Sequence, residues 1–153
     1  MSKKIIRSRG FDCIACAYAM AMDVELKVIT DFLRHDGSGY LAQGVRRGIC
    51  EEELARFALT RGWSATVINR LYAIQTSKET FLARGSEVFF DDFFTWNPFN
   101  HKLIVKWSIA NGPGHAVFVH NGVVLDPVGK EYRAIDLNSE SFDSITVLAP
   151  VVK

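Results

Sequence analysis

The dipeptide Asn121-Gly122 constrains the fold of this chain more than any other short feature. It separates two apolar tetrapeptides, VFVH at 117–120 and VVLD at 123–126. A two-residue type I′ turn needs positive φ at both central positions, and Asn followed by Gly meets that need well. The sequence therefore predicts a β-hairpin in which His120 pairs with Val123.

This pairing would place a histidine and an acid on one face of the hairpin. Val117 would lie opposite Asp126, and the period of two puts His115 on the same face. Diagonal neighbours of this kind lie about 7–8 Å apart at Cα, which an imidazole and a carboxylate can close to a hydrogen bond. Such an acid fixes the imidazole tautomer and stabilises the imidazolium. A plainer interpretation stays open, in which His115 only follows a Gly-Pro-Gly turn and Asp126 only ends a strand before a proline.

Helical patterns occupy the first part of the chain. Residues 13–22, CIACAYAMAM, are apolar or small and predict a helix that is buried on nearly all sides. Asp23 is placed to cap a second helix that ends before Gly37. Glu51 to Glu53 would begin a third helix that Gly62 ends. The second helix is expected to turn one face inward, made of Val24, Val28, Phe32 and Leu33.

Extended patterns dominate the second part. Strands are predicted at Ala65 to Ile68, Leu103 to Ile109, Ala116 to His120, Val123 to Asp126 and Ile145 to Leu148. Helices first and strands second is an α+β order, with N-terminal helices followed by an antiparallel β-sheet. The chain has 153 residues, a length that predicts one domain spanning 1–153.

Cys13 stands where the buried helix would begin. Free backbone N–H groups and the helix dipole at such a position favour a thiolate, so we expect a lowered pKa for this thiol. The same amides can help to hold an oxyanion. A nucleophile at a helix start, with a base and an acid on a distant hairpin, suits nucleophilic thiol catalysis.

Two segments resemble a known family. Residues 12–20, DCIACAYAM, resemble the nucleophile helix of papain-like cysteine peptidases of the bacteriocin-leader-processing type. Residues 114–127 resemble the His strand, turn and Asp strand of those peptidases, and look closer still to small phage and bacterial relatives. The resemblance implies a papain-like cysteine protease fold with Cys13 as nucleophile, His115 as general base and Asp126 as third member. It implies a hydrolase acting on a peptide or isopeptide bond of a peptide or protein substrate, and it implies no cofactor.

The segment before the cysteine departs from that family. Ile14 stands where relatives have glycine, and Arg7, Ser8, Arg9 and Gly10 stand where many place a glutamine that donates to the oxyanion. Ser8, Arg9 or backbone amides could replace it, but losing one such donor typically costs about 100- to 1,000-fold in rate. The alternative is a catalytically inactive papain-like module that binds a host or virion protein. Fold resemblance also leaves deamidation and acyl transfer open.

Three cysteines, an odd number, argue against a disulfide framework. Cys13 and Cys16 form a C-x-x-C pair, which could serve redox chemistry or, with Cys50 and His35, a zinc site. Their spacing matches no common zinc motif, so Cys16 is more simply a small buried residue and Cys50 receives no role. His35 and His101 have no evident acid partner in the sequence, and no metal site is predicted.

Charge and hydropathy limit the classes of partner expected for this chain. Lys and Arg total 18 against 17 for Asp and Glu, so nucleic acid is not an expected partner. The chain shows neither a secretory signal nor a long apolar run, which leads us to expect a soluble cytoplasmic protein without membrane contact. Phenylalanine and tryptophan are concentrated at 89–99, either for core packing or as a surface for a protein partner.

Overall fold

The computed structural model describes residues 4–69, 97, 99–107, 114–137 and 144–151. Within them, three α-helices precede a six-stranded antiparallel sheet, which confirms the predicted α+β order. The helices are α1, Cys13–Met22, α2, Leu26–Leu33, and α3, Glu51–Thr60. None of these described helices combines the length and the apolar character that a membrane span requires.

The sheet has the spatial order β1-β6-β2-β3-β4-β5. Its strands are β1, Trp63–Asn69, β2, Lys102–Trp107, β3, His115–His120, β4, Val123–Asp126, β5, Lys130–Arg133, and β6, Ser144–Pro150. Each predicted strand is present, although the predicted end of β2 at 108–109 lies outside the described residues. β5 was not predicted, because the edge sequence KEYR is largely exposed and lacks the apolar alternation of a half-buried strand.

The hairpin has the predicted register. Asn121 and Gly122 adopt φ of 54° and 73°, as a type I′ turn requires, and His120 pairs with Val123. The two faces of the sheet carry separate apolar clusters. One cluster, which includes Phe118, packs against the helices, and the other is formed on the opposite face by Leu103, Val105, Val117, Val119, Val124 and Ile145.

α1 is the central helix and is buried as predicted, with residues 15–21 all inside the protein. The prediction that Asp23 caps the start of α2 is wrong. Asp23 has a φ of 57° and ends α1, where its backbone N–H donates to the carbonyl of Ala19, and α2 starts three residues later. Three of the four residues predicted to face inward, Val24, Val28 and Leu33, are partly buried against the core, and Phe32 is 42% exposed. The fully buried residue of α2 is Ile29.

A polar network connects α3 with α1 and the sheet. The Glu51 carboxylate accepts hydrogen bonds from Tyr18 Oη at 2.9 Å and from Thr146 Oγ1, and it pairs with the Lys106 ammonium group. Tyr18 and Thr146 are fully buried. A buried charge needs such partners, so this network fixes α3 against the sheet.

Candidate active site

Cys13 is the first residue of α1, and the chain before it is held by Asp12. The Asp12 side chain is fully buried and accepts hydrogen bonds from Ser8 Oγ at 2.8 Å, from the Arg9 backbone N–H at 2.8 Å and from Arg9 Nε at 3.0 Å. Its own carbonyl accepts from the N–H of Cys16 at 3.0 Å, the first turn of the helix. Asp12 therefore fixes the conformation of the segment that precedes Cys13.

The Cys13 thiol is half-buried against the start of β3. Sγ donates to the carbonyl oxygen of Gly114 at 3.5 Å. Burial raises the pKa of this thiol, and that effect outweighs the lowering by the backbone N–H groups of Ala116 and Ile14, while the charge of Asp12 raises it further. The prediction of a lowered pKa is therefore wrong, because it counted the helix start and omitted the covering strand.

His115 and Asp126 meet across the hairpin as the register predicts. His115 Nε2 lies 2.8 Å from Asp126 Oδ1, and the same oxygen accepts the backbone N–H of Val128 at 3.0 Å. Asp126 is 7% exposed. With Nε2 directed at the carboxylate, Nδ1 is the ring nitrogen left to exchange a proton.

Trp107 packs against the imidazole. The two ring centroids are 4.9 Å apart in an edge-to-face arrangement, because Trp107 and His115 are direct partners in the β2–β3 ladder. An apolar ring at this place limits water access to the hydrogen bond between His115 and Asp126. Sequence reasoning did not identify Trp107, although pairing the two predicted strands could have done so.

Cys13 and His115 line one cleft of about 360 Å³, whose other walls come from Ser8, Gly10, Trp107, Gly114, Pro127 and Val128. The structure therefore brings together the three residues predicted from sequence: Cys13 and His115 share the cleft, and Asp126 lies behind the histidine. The hydrogen bond of the thiol goes to the residue before His115, not to its ring. Proton transfer between them would need a rotation of the thiol.

The side chains suggested as oxyanion donors are already engaged. Ser8 Oγ donates to Asp12 and accepts from the N–H of Gly10 at 2.9 Å. The Arg9 guanidinium pairs with Asp12 and Asp36. The N–H of Cys13, at the helix start where helical amides have no internal partner, is the better candidate donor.

Cys16, Cys50 and His35 have contacts that suit a structural role. All three cysteines are free thiols; Cys16 is buried, where burial raises its pKa to about 12, and Cys50 is exposed at the cap of α3. The expectation that His35 lacks an acid is wrong, because Nε2 lies 2.8 Å from Glu53 Oε1. Its Nδ1 accepts the N–H of Gly37 at 3.1 Å, so both ring nitrogens are occupied.

No metal cluster occurs in the described part of the chain, where no three His, Cys, Asp or Glu residues are placed to hold an ion. Most of the aromatic segment 89–99 lies outside the described residues. Of its members, Phe99 is described and is 82% exposed. The predicted partner surface there stays a prediction.

The comparisons with known proteins add no family. The sequence matches no protein-family model, and no curated protein is significantly similar to it. The functional argument therefore depends on the geometry of the cleft and on the two motifs.

Proposed function

We propose that this protein is a papain-like thiol hydrolase that cleaves a peptide or isopeptide bond with Cys13 as nucleophile, His115 as general base and Asp126 as the orienting acid. The observation that carries the proposal is the shared cleft, in which a thiol at a helix start lies beside a histidine held by a buried carboxylate. The fold suits this class of hydrolase, because helices precede an antiparallel sheet. The thiol lies on a helix, and the His–Asp pair lies on the sheet. We also assign the activity to the cytoplasm, because all three thiols are free.

Because burial raises the pKa of Cys13, the mechanism starts from the thiol. As Sγ attacks the substrate carbonyl carbon, the thiol proton passes to Nδ1 of His115, and Asp126 stabilises the imidazolium formed. The carbonyl oxygen becomes an oxyanion near the N–H of Cys13. The imidazolium then donates its proton to the departing amine, which leaves a thioester. Water attacks this thioester with His115 as base, and Cys13 is restored as a thiol.

The second candidate is a non-catalytic papain-like module that binds a protein partner. Three observations favour it: the thiol is directed at Gly114, its pKa is raised, and no glutamine precedes Cys13. The two candidates differ in whether His115 activates Cys13, which can be measured without knowing the substrate.

The test is the rate of iodoacetamide labelling of each cysteine, followed by mass spectrometry across pH, with a free cysteine peptide as reference. In the native protein we expect Cys13 to react faster near pH 7 than it does in His115→Ala, because His115 accepts the thiol proton as the sulfur attacks. In His115→Ala the buried thiol should react more slowly than the reference. His35→Ala is the matched control and should leave Cys13 unchanged. Equal Cys13 rates in the native protein and His115→Ala would refute the hydrolase proposal and favour the binding module.

A further inference from the structure

Residues 37–48 form a hairpin-like loop beside the start of α1. Tyr40 and Arg46 form a β-bridge, and the Leu41 N–H donates to the carbonyl of Val45 at 2.6 Å. The loop is anchored at its base, where the Gly48 N–H donates to the carbonyl of Gly37 at 3.0 Å. Apolar side chains at its tip face solvent, with exposures of 66% for Tyr40, 54% for Leu41 and 57% for Val45.

Arg46 is held between two aromatic rings. Its guanidinium carbon lies 4.7 Å from the ring centroid of Phe11 and 4.7 Å from that of Tyr40. Its nitrogens donate to the Ser38 carbonyl at 2.7 Å and to Tyr40 Oη at 2.9 Å. Neither acceptor is a carboxylate, and no ion pair among the described residues includes Arg46. We call Phe11, Tyr40 and Arg46 the arginine strip.

The arginine strip continues one wall of the cleft. Gly10 lines the cleft, and the next residue is Phe11 of the strip. Arg9 fixes this junction, since it pairs with Asp12 before α1 and with Asp36 before the loop. A peptide extending from the cleft along this wall would therefore meet the exposed face of the strip.

A second arginine lies beside the turn that lines the cleft with Pro127 and Val128. The Ser8 N–H donates to the carbonyl of Pro127 at 2.9 Å, which joins the segment before α1 to the turn after Asp126. The Arg7 guanidinium lies over Gly129 of this turn, where an added Cβ would be 2.4 Å from Nη2. Arg7 is exposed, and no ion pair among the described residues includes it.

We propose that the cleft and the arginine strip take peptide segments that carry acidic side chains near apolar ones, with Arg46 and Arg7 binding the carboxylates. Guanidinium groups bind carboxylates through paired N–H donors, and an arginine already ordered by aromatic rings loses little entropy on binding. The exposed Tyr40, Leu41 and Val45 provide apolar contact beside the charge. The inference rests on the proposed function only in assigning this peptide as the substrate of Cys13.

A peptide fits this surface better than a nucleic acid. Two carboxylates lie on residues near this surface, each paired with a neighbouring arginine: Asp36 pairs with Arg9, and Glu53 pairs with Arg47. Carboxylates beside the binding groups would repel a continuous phosphate backbone, whereas a peptide can present isolated charges. The formal net charge of the chain, +1, provides no general attraction for polyanions.

The test measures binding separately from chemistry, with the Cys13→Ala protein and isothermal titration calorimetry. The probes are two capped octapeptides with a central Ala-Ala flanked by Leu and Phe, identical except that one has Glu and the other Gln at one position on each side. At low ionic strength we expect the Glu peptide to bind at least about fivefold more tightly. Raising NaCl to about 0.3 M should reduce that advantage.

Substitutions then assign the contacts. Arg46→Ala and Arg7→Ala should each reduce the preference for Glu, and Arg56→Ala, which removes an exposed charge on α3, should leave it unchanged. Equal affinities, absence of binding by the Glu peptide, a preference that survives both substitutions, or tighter binding of a single-stranded DNA would overturn the inference. Glu-peptide binding combined with inert Cys13 labelling would refute the hydrolase proposal alone.

Discussion

Replacing Asp126 separates the orienting role of its side chain from its charge. Asp126 Oδ1 accepts two donors, His115 Nε2 and the Val128 N–H. In Asp126→Asn the Val128 N–H should retain the amide oxygen in this place, so the imidazole keeps its tautomer. Only the charge that stabilises the imidazolium is lost. Asp126→Ala instead leaves both donors without an acceptor.

The magnitudes follow from these contacts. A hydrogen bond to a charged group contributes about 1–2 kcal/mol more than a neutral one, so Asp126→Asn should lower the labelling rate of Cys13 by about 5- to 30-fold. The His115 and Asp126 side chains are 17% and 10% exposed, so solvent replaces the lost acceptor poorly. Asp126→Ala should therefore also lower the free energy of unfolding by about 2–4 kcal/mol.

Iodoacetamide labelling near pH 7 measures the change in the reactivity of Cys13, and urea unfolding measures the change in the free energy of unfolding. Asp31→Asn is the matched control, because Asp31 forms an exposed pair within α2 and should change neither quantity. If Asp126→Asn destabilises the protein as much as Asp126→Ala, the Val128 N–H does not orient the side chain. If Asp126→Ala leaves Cys13 labelling unchanged, Asp126 does not act through His115.

Three further substitutions test contacts around the site. Gly129→Ala should lower the free energy of unfolding by about 1–2 kcal/mol in urea, because Gly129 has a φ of 99° and the new methyl group would meet Arg7. Glu51→Ala should lower it by about 3–5 kcal/mol, since Lys106 and the buried Tyr18 and Thr146 hydroxyls would lose the carboxylate that they share. Burial raises the pKa of Glu53, but hydrogen bonds from its histidine partner and from the Cys50 N–H outweigh this and lower the pKa below 4.5. The stability from Glu53 is therefore complete above pH 4.5 and lost as pH falls through the lowered pKa, and Glu53→Gln should flatten the acid side of an unfolding-against-pH curve.

Each substitution has a matched control in the chain. Gly39→Ala should be nearly neutral, because an added Cβ there has no atom within 4 Å. Glu52 is exposed in the first turn of α3 and supplies the controls for both glutamate tests. Glu52→Ala is the control for Glu51→Ala, and Glu52→Gln is the control for Glu53→Gln. Destabilisation by Gly39→Ala equal to that by Gly129→Ala would contradict a specific cost of the positive φ and the Arg7 contact at Gly129. An acid response of Glu52→Gln equal to that of Glu53→Gln would remove the specific role of the Glu53 pair.

The errors made from sequence have two physical origins, one local and one tertiary. Asp23 is a good N-cap residue by type, but α1 continues far enough that Asp23 takes the left-handed position that ends it. The pKa of Cys13 was predicted from its own helix, whereas the strand that covers it lies about a hundred residues away in the chain. The acid that pairs with His35 is Glu53 of α3, whereas His35 lies just after α2. The outcomes for Cys13 and His35 depended on contacts between separate segments, whereas Asp23 was decided locally by where α1 ends.

The sequence by itself determined the features that local chemistry decides. Asn121-Gly122 fixed the hairpin register, and thereby the approach of His115 to Asp126, because turn geometry and strand alternation act over a few residues. The uniformly apolar segment after Asp12 likewise determined a buried helix. Only the tertiary structure decided that Cys13 shares a cleft with His115, that Trp107 packs against the imidazole and that burial raises the pKa of the thiol. Those properties depend on which surfaces exclude water, and that is decided only when the helices pack on the sheet.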